Sequence, residues 1–227
     1  MTVEEAKEKL ANFASKDKTR RTICRVRTKG NFAYATDGRI AFRAEMDVPD
    51  KDDCEEFPVK AIDEFAGIVL GHSDWRTIDS EAFNEMCEGF NKALTDYIKE
   101  QEADIRDRYI RKECPCCRAD VYWDRDNQEL VELENIDEVD SSPGHVDYPV
   151  RIVFGENWEI PVNLGYLYLV KKAFGDDVVF AAEVVEKSGI SRLVMKTIDG
   201  KSTGVLMPLR VVGDEKSTDR VLEAKKC

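Results

Sequence analysis

Apolar residues recur every three or four positions in several stretches of the chain, which is the pattern of amphipathic helices. In residues 3–15 this repeat follows Thr2, which has the spacing of a helix-capping box with the glutamate three positions later. Shorter repeats over residues 61–70 and 164–174 predict two further helices, and Asn163 is the expected N-cap of the second.

The longest apolar stripe begins after Asp79 and continues to Tyr109, and charged residues fill the opposite face. No proline interrupts it, and no glycine follows Gly89 within it. This pattern predicts one long helix, or two helices joined end to end, that projects from the domain or pairs with another element. A β-prone segment at residues 121–123 predicts a strand shortly after it.

Strands are predicted on both sides of this helical region. Asp37 and Gly38 form the clearest turn signal, because glycine readily adopts the positive φ that a tight hairpin turn needs. β-prone segments predict strands over residues 22–28, 32–35, 39–46, 150–154, 158–161, 178–186, 191–197 and 204–212. A second tight turn is expected at residues 29–31, and charged or Ser-Pro-Gly-containing segments predict loops at residues 47–56 and 124–147.

Helices combined with antiparallel strands at both ends of the chain predict an α+β fold. A Phe-Pro-Val motif and an Ile-Pro-Val motif each precede a short helix, which indicates two similar halves of helix plus antiparallel sheet. We expect a first part over residues 1–74, a helical insertion over residues 75–147 and a second part over residues 148–212. Residues 213–227 are expected to be a polar tail with some helix near its end.

Composition is typical of a globular protein, since 42% of the 227 residues are hydrophobic and 35% are charged. The apolar runs are shorter than the ~20 residues of a membrane span, and the acidic N-terminus lacks the pattern of a signal peptide. Seven cysteines without such a signal favour a reducing, cytoplasmic setting. The formal charge of −12 disfavours nucleic-acid binding over the whole surface but allows a local basic patch.

Two segments at opposite ends of the chain together resemble the bacterial sliding clamp, the β subunit of the replicative DNA polymerase III. The first contains Ala-Thr-Asp-Gly at residues 35–38, followed by a basic-aliphatic strand. The second begins at Asn163 and ends in Met-Pro-Leu-Arg-Val at residues 207–211. The matches follow the family order and cover residues 20–46 and 150–212. One departure lies in the turn, where the family usually places a histidine between the glycine and the arginine that are adjacent here.

The resemblance implies a DNA-clamp-like, processivity-fold domain interrupted by the helical insertion. In the family, six such domains form a ring that encloses duplex DNA and tethers a polymerase. The implied function is that of a non-catalytic replication factor, and replication proteins such as a DNA polymerase would dock on it through short peptide motifs. The chain has room for about one clamp domain, so a ring would need a homo-oligomer with more subunits than usual. The alternative is a clamp-fold interaction module that forms no ring.

The resemblance also implies two sets of site residues. The peptide-binding set surrounds the turn and the Met-Pro segment and comprises Thr36, Gly38, Arg39, Ile40, Met207, Pro208, Leu209, Arg210 and Val211. An extended apolar strand end beside a turn can hold two hydrophobic anchors of a peptide. The DNA-binding set comprises Lys16, Lys18, Arg20, Arg21 and Lys172. Individually, such cations are also typical of a solvated charged face.

Cys114 and Cys117 have the spacing of half a zinc knuckle, because thiolates two residues apart converge on one tetrahedral ion. The sequence has no second Cys-x-x-Cys pair, and the residues that could complete a site are Cys54, Cys87, Cys116 and His145. The alternative is a reduced turn with partly buried thiols. A structural zinc is therefore the one cofactor that the sequence raises.

Catalytic motifs are sparse in the sequence. The two histidines, His72 and His145, leave few combinations for a nucleophile–histidine pair, and the sequence has no Gly-rich phosphate loop. Acidic pairs at residues 52–53 and 176–177 lie in predicted turns. The sequence therefore favours a protein that is not an enzyme, and a small metal-dependent enzyme is the remaining alternative.

Overall fold

The computed structural model describes residues 1–114, 120–131, 139, 141–155, 158–185, 190–209 and 220–226. Its helices and strands, in chain order, are α1 (Val3–Leu10), β1 (Arg27–Thr36), β2 (Ile40–Asp50), α2 (Val59–Gly71), β3 (Arg76–Ile78), α3 (Ser80–Arg108), β4 (Tyr109–Glu113), β5 (Asp120–Asp124), β6 (Glu129–Val131), β7 (Pro149–Val153), β8 (Glu159–Asn163), α4 (Leu164–Phe174), β9 (Val178–Val185), β10 (Ile190–Thr197), β11 (Ser202–Leu206) and β12 (Val221–Lys226). Short 3₁₀ turns are present at Ala11–Phe13 and Pro143–His145.

Nine strands form one sheet in the order β1-β2-β11-β10-β9-β3-β12-β7-β8. Neighbouring strands in it are antiparallel, except that β12 runs parallel to β7. After β11 the chain returns to the β8 edge, where the Leu209 amide donates a 2.8 Å hydrogen bond to the Pro161 carbonyl. The sheet therefore curves until its β8 edge lies beside the end of β11, and the α+β class is confirmed.

Helices cover both faces of this sheet. On one face, α1, α3 and α4 enclose the main core, in which the Phe13 and Phe42 rings stack with centroids 4.5 Å apart and Phe174 lies 5.2 Å from Phe42. On the other face, α2 places its fully buried Val69 against residues of β9, β10 and β11. Alternation of side chains along the central strands supplies apolar contacts to both sets of helices.

The predicted helices are confirmed with small changes at their ends. Thr2 and the Glu5 carboxylate form the expected capping box at the start of α1. The α4 helix has the predicted bounds because the Asn163 side chain accepts the Gly165 amide at its start, while Gly175 ends it with φ +64°. The long stripe forms a single 29-residue helix, α3, capped by Asp79.

The predicted turn at residues 29–31 is wrong, because β1 continues through it. Gly30 takes φ +56°, and the pairing register shifts between Gly30 and Phe32, so its positive φ forms an irregularity within the strand instead of a reversal. The strand predicted over residues 22–28 begins only at Arg27. β2 extends to Asp50, which adds to the sheet residues that the sequence assigned to a loop.

The expected helix near the C-terminus is also wrong. Residues 221–226 form β12, whose Leu222 and Ala224 are buried while their neighbours are exposed. This two-residue alternation inserts the strand between β3 and β7. Burial of those two apolar side chains in the core therefore outweighs the polar composition of the tail.

An arm consisting of the second half of α3 and the three-stranded sheet β4-β5-β6 extends from this body. The predicted strand at residues 121–123 is confirmed as β5, whereas β6 lies in a segment that was predicted to be loop. Arg108 makes a bidentate ion pair with Asp124, whose side chain is 2% exposed. This guanidinium holds the pKa of the Asp124 carboxyl well below its usual range, so the pair ties the helix to its hairpin at neutral pH.

Candidate functional site

The turn between β1 and β2 is held by side-chain hydrogen bonds. Asp37 Oδ1 accepts the amides of Arg39 at 2.7 Å and Ile40 at 3.0 Å. The Thr36 hydroxyl donates to the Ile40 carbonyl at 2.7 Å and accepts the Gly38 amide at 3.0 Å. Gly38 has φ +94°, a conformation that favours glycine. The predicted Asp-Gly hairpin turn is confirmed, and the amides of residues 37–40 are hydrogen-bonded within the turn.

Two residues from other parts of the chain fix the turn to the body. The Tyr166 hydroxyl of α4 donates to Asp37 Oδ2 at 2.7 Å, and the Arg20 guanidinium donates to the Asp37 carbonyl at 2.7 Å. Burial, together with the Asp37 carboxylate, raises the pKa of the Tyr166 phenol, so the phenol remains a hydrogen-bond donor at neutral pH. The turn is therefore attached to the helical layer as well as to the sheet.

The Met-Pro segment leaves β11 directly beside this turn. Leu206 pairs with Ile40 in the sheet, and the Met207 amide donates a 2.9 Å hydrogen bond to the Arg39 carbonyl. Leu209 then reaches β8, as described above. The structure therefore brings together the two segments that the resemblance paired, although most of the chain lies between them in sequence.

Exposure divides the predicted peptide-binding residues into two groups. Thr36 and Ile40 are 6% and 1% exposed, so they support the surface from below. Met207 is 42% exposed, Gly38 and Arg39 are also exposed, and Pro208 and Leu209 are half-buried. We call this exposed group the turn strip: Gly38, Arg39, Met207, Pro208 and Leu209. The predicted residues Arg210 and Val211 lie outside the described residues.

Three of the five predicted DNA-binding cations line one cleft of about 740 Å³, which we call the basic cleft. Lys16 and Lys18 follow the 3₁₀ turn after α1, and Lys172 lies on α4; all three are exposed. Among the residues that the structure describes, no carboxylate oxygen lies within 4.0 Å of the Lys16 or Lys172 ammonium. The opposite wall of the cleft is formed by residues 141–145.

The other two predicted cations lie elsewhere. Arg20 is bound to the turn through the Asp37 carbonyl, and Arg21 lines a second cleft of mixed charge that includes Arg25 and Asp53. The predicted DNA-binding residues Lys18, Arg20 and Arg21 therefore lie in three different places. The chain reverses direction through turns at residues 18–23 and sends successive side chains apart.

The wall of the basic cleft is fixed by the N-cap of α4. Asn163 is buried, and its Nδ2 donates to the carbonyls of Gly144 at 3.1 Å and Val146 at 2.7 Å. Its Oδ1 accepts the Gly165 amide at 2.9 Å. The Pro143 carbonyl approaches Gly165 so closely that a Cβ there would overlap it. One side chain thus starts α4 and positions the facing wall.

The cysteine knuckle falls partly outside the described residues, which exclude Cys116 and Cys117, while Cys114 is half-buried after β4. Burial raises the pKa of the Cys54 and Cys87 thiols to about 11, which keeps both protonated at neutral pH. Within the described ranges, no group of three or more His, Cys, Asp or Glu side chains could hold a metal ion. The zinc knuckle stays a prediction.

The sequence matches no model of a known protein family and no curated protein. In the described parts of the chain, no helix combines the length and the apolar composition that crossing a membrane requires. The case for a function therefore depends on the geometry of the turn strip and the basic cleft, together with the motif resemblance.

Sequence reasoning assigned no role to Tyr166 or to the cleft wall. The Pro-Gly dipeptide at residues 143–144 indicated a turn, but nothing in the pattern indicated what that turn faces. Tyr166 lies on α4 among apolar positions, so its periodicity is that of a core residue. Its hydrogen bond to Asp37 depends on the tertiary fold and leaves no local signal.

Proposed function

We propose that this protein is a non-catalytic, sliding-clamp-like replication factor that binds partner proteins through the turn strip. The observation that carries the proposal is the hydrogen bond between the Met207 amide and the Arg39 carbonyl, because it joins the two segments on which the resemblance rests. The proposed partners are replication proteins, such as a DNA polymerase, that present a short peptide motif.

The chemistry of the turn strip suits a peptide with apolar anchors. Backbone groups of the turn are already bonded to the Thr36 and Asp37 side chains, so a ligand gains little from competing for them. The exposed Met207 and half-buried Leu209 offer apolar contact, and methionine adapts its shape to different partners. The neighbouring Arg39 favours an acidic residue in the peptide.

The nucleic-acid side of the proposal is the basic cleft on the helical face. Encircling duplex DNA would require several copies of the chain, because one copy contributes one curved sheet with its helices. The proposed ring is therefore a homo-oligomer.

A second candidate is a clamp-fold interaction module that forms no ring, and the position of α3 favours it. The α3 helix packs against α4, where the Phe90 ring is 5.5 Å from Tyr168 and the Lys171 ammonium lies 5.5 Å from the Phe83 ring. The family's helices face DNA, whereas here the inserted helix covers part of that face.

Peptide binding tests the turn strip directly. A fluorescent peptide with two hydrophobic anchors and one acidic residue should bind in an anisotropy titration, and Met207→Ala should weaken it about 5-fold or more, since a truncated apolar anchor costs about 1 kcal/mol. The matched control is Ile198→Ala, which removes a 65%-exposed apolar side chain at the opposite end of the β10–β11 hairpin. Equal affinity for both variants would count against the proposal.

Solution mass separates the ring from the lone module. Native mass spectrometry at micromolar concentration should find a closed oligomer if the protein encircles DNA. A stable monomer would exclude the ring and leave the interaction module, provided that the peptide still binds.

A further inference from the structure

We propose that the basic cleft binds a segment of single-stranded nucleic acid, with its phosphates on the lysines and a base against the apolar part of the lining. This inference rests on the proposed function, because it names the kind of nucleic acid that such a replication factor contacts. It concerns a surface that the inserted segment helps to build.

The charge of the cleft differs from that of the whole protein. The chain carries a formal charge of −12, yet Lys16, Lys18 and Lys172 meet in this one cleft. Among the described residues of the lining, one is acidic, Asp17, and its carboxylate accepts the Thr19 amide at 2.8 Å and the Thr19 hydroxyl at 2.6 Å. An anionic ligand can therefore pair with Lys16 and Lys172, whose ammonium groups have no carboxylate partner among the described residues, and phosphate is an anion that lysine commonly binds.

The cleft is formed before a ligand arrives. The Asn163 hydrogen bonds and the close approach of Pro143 to Gly165 hold the wall at residues 141–145. That wall presents the exposed Ser141 side chain to the cleft, and hydroxyl groups commonly bind phosphate oxygens. Because these residues are already held in place, the protein loses little conformational entropy when a ligand binds.

Part of the remaining lining is apolar, and it includes one aromatic ring. Leu94 comes from α3, and Tyr168 and Leu169 come from α4. The Tyr168 ring is supported from behind by Phe90, with ring centroids 5.5 Å apart. Aromatic rings next to cations are the usual platform for bases of single strands, because each base offers a π-face.

The concave shape favours a single strand over a duplex. A volume of about 740 Å³ is in the range of clefts that enclose small ligands, which are typically about 300–1,000 Å³. Bases in a duplex are stacked and paired, so they cannot turn into such a cleft without unstacking. A single strand can place an unpaired base there while its phosphates remain on the lysines.

Anisotropy titrations with fluorescein-labelled (dT)₈ test the inference. The oligonucleotide should bind with an affinity that falls with salt, and the slope of log K against log salt should be about −1.4, as two phosphates of a single strand, one on Lys16 and one on Lys172, give about −0.7 each. Lys16→Ala and Lys172→Ala should each weaken binding about 2- to 5-fold and reduce the slope to about −0.7, and the double variant should bring the slope close to zero. Both lysines are exposed, so the variants should fold.

The control is the double variant Lys92→Ala/Lys99→Ala, which removes the same charge from exposed positions of α3 outside the cleft. The inference is overturned if (dT)₈ does not bind, if the two double variants bind equally, or if free dTMP competes as well as the oligonucleotide. Tighter, Lys16- and Lys172-dependent binding of a hairpin duplex would also overturn it, yet would leave the proposed function intact. If the two-anchor peptide does not bind the native protein, the proposed peptide-binding function is wrong. Binding of (dT)₈ that depends on Lys16 and Lys172 would still support the inference about the basic cleft.

Discussion

The turn strip and the basic cleft both lie beside α4, but they differ in what their polar groups already contact. In the turn strip, Asp37 accepts two turn amides and the Tyr166 hydroxyl, so the polar atoms are occupied and apolar side chains remain exposed. In the basic cleft, Lys16 and Lys172 have no carboxylate partner among the described residues.

This difference predicts two kinds of ligand. The turn strip should gain most of its affinity from apolar burial, and its single cation, Arg39, should make that affinity depend only weakly on salt. A surface with cations that lack carboxylate partners gains affinity from anions, and it loses that affinity as salt rises. The α4 helix thus contributes to both proposed sites. Its first turn supports the peptide-binding turn strip through Tyr166, and its last turn supplies Lys172 to the anion-binding basic cleft.

The largest effect is expected from Gly165→Ala, which breaks the cleft wall. The new Cβ would overlap the Pro143 carbonyl, and backbone atoms at that position cannot move aside without displacing α4 or the wall. We expect a loss of about 3 kcal/mol or more in the free energy of unfolding, measured by urea denaturation. Binding of (dT)₈ should fall further than binding of the peptide.

Gly67→Ala is the matched control for that change. Gly67 lies on the exposed face of α2, and a Cβ there would meet nothing within 4 Å. This variant should be more stable by about 0.5–1 kcal/mol, because alanine restricts the unfolded chain and favours helix. Equal destabilisation by both changes would contradict the role assigned to Gly165.

Asn163→Ala should have the next largest effect. It removes the N-cap of α4 and leaves two buried carbonyls without their donor, for a combined loss of about 2–4 kcal/mol. Asn31→Ala, at an exposed position of β1, is the control and should change stability by less than about 0.5 kcal/mol. If Asn163→Ala unfolds at the same urea concentration as the native protein, the wall is held by something else.

Tyr166→Phe should have the smallest effect and should act on the other site. The ring remains in the core while the hydrogen bond to Asp37 is lost, which costs about 1 kcal/mol in the free energy of unfolding. Peptide affinity should fall, and (dT)₈ affinity should stay within about 2-fold of native. Tyr168→Phe is the control for stability and should leave peptide affinity unchanged. If Tyr166→Phe lowers only the affinity for (dT)₈, the assignment of the two sites is wrong.

The fold could be predicted where the local sequence signals were consistent with one structure only. The bounds of α4 followed from an N-cap asparagine, an apolar repeat and a terminal glycine, and these agree with each other. Gly30 could not be assigned in this way, because a glycine with positive φ is compatible with a turn and with an irregularity inside a strand. Pairing with the partner strand β2 determines which of the two forms. β12 was missed because six residues with only two buried side chains give too short an alternation.

The candidate site was predictable to a smaller extent. The pairing of the turn with the Met-Pro segment came from the family resemblance, since no periodicity relates residues so far apart in sequence. The division of the basic residues could not be foreseen, because the direction of each side chain between residues 16 and 21 depends on successive turns after α1. Tyr166 and Asn163 act through tertiary hydrogen bonds that leave no sequence pattern.

Amide chemical shifts in an NMR titration test the central claim most directly. On addition of the two-anchor peptide, the amides of Gly38, Arg39, Met207 and Leu209 should shift together, because the two segments form one surface. The amides around Lys16 and Lys172 should shift instead when (dT)₈ is added. Peptide-induced shifts confined to α3, or shifts at the turn without any at Met207 and Leu209, would contradict the account.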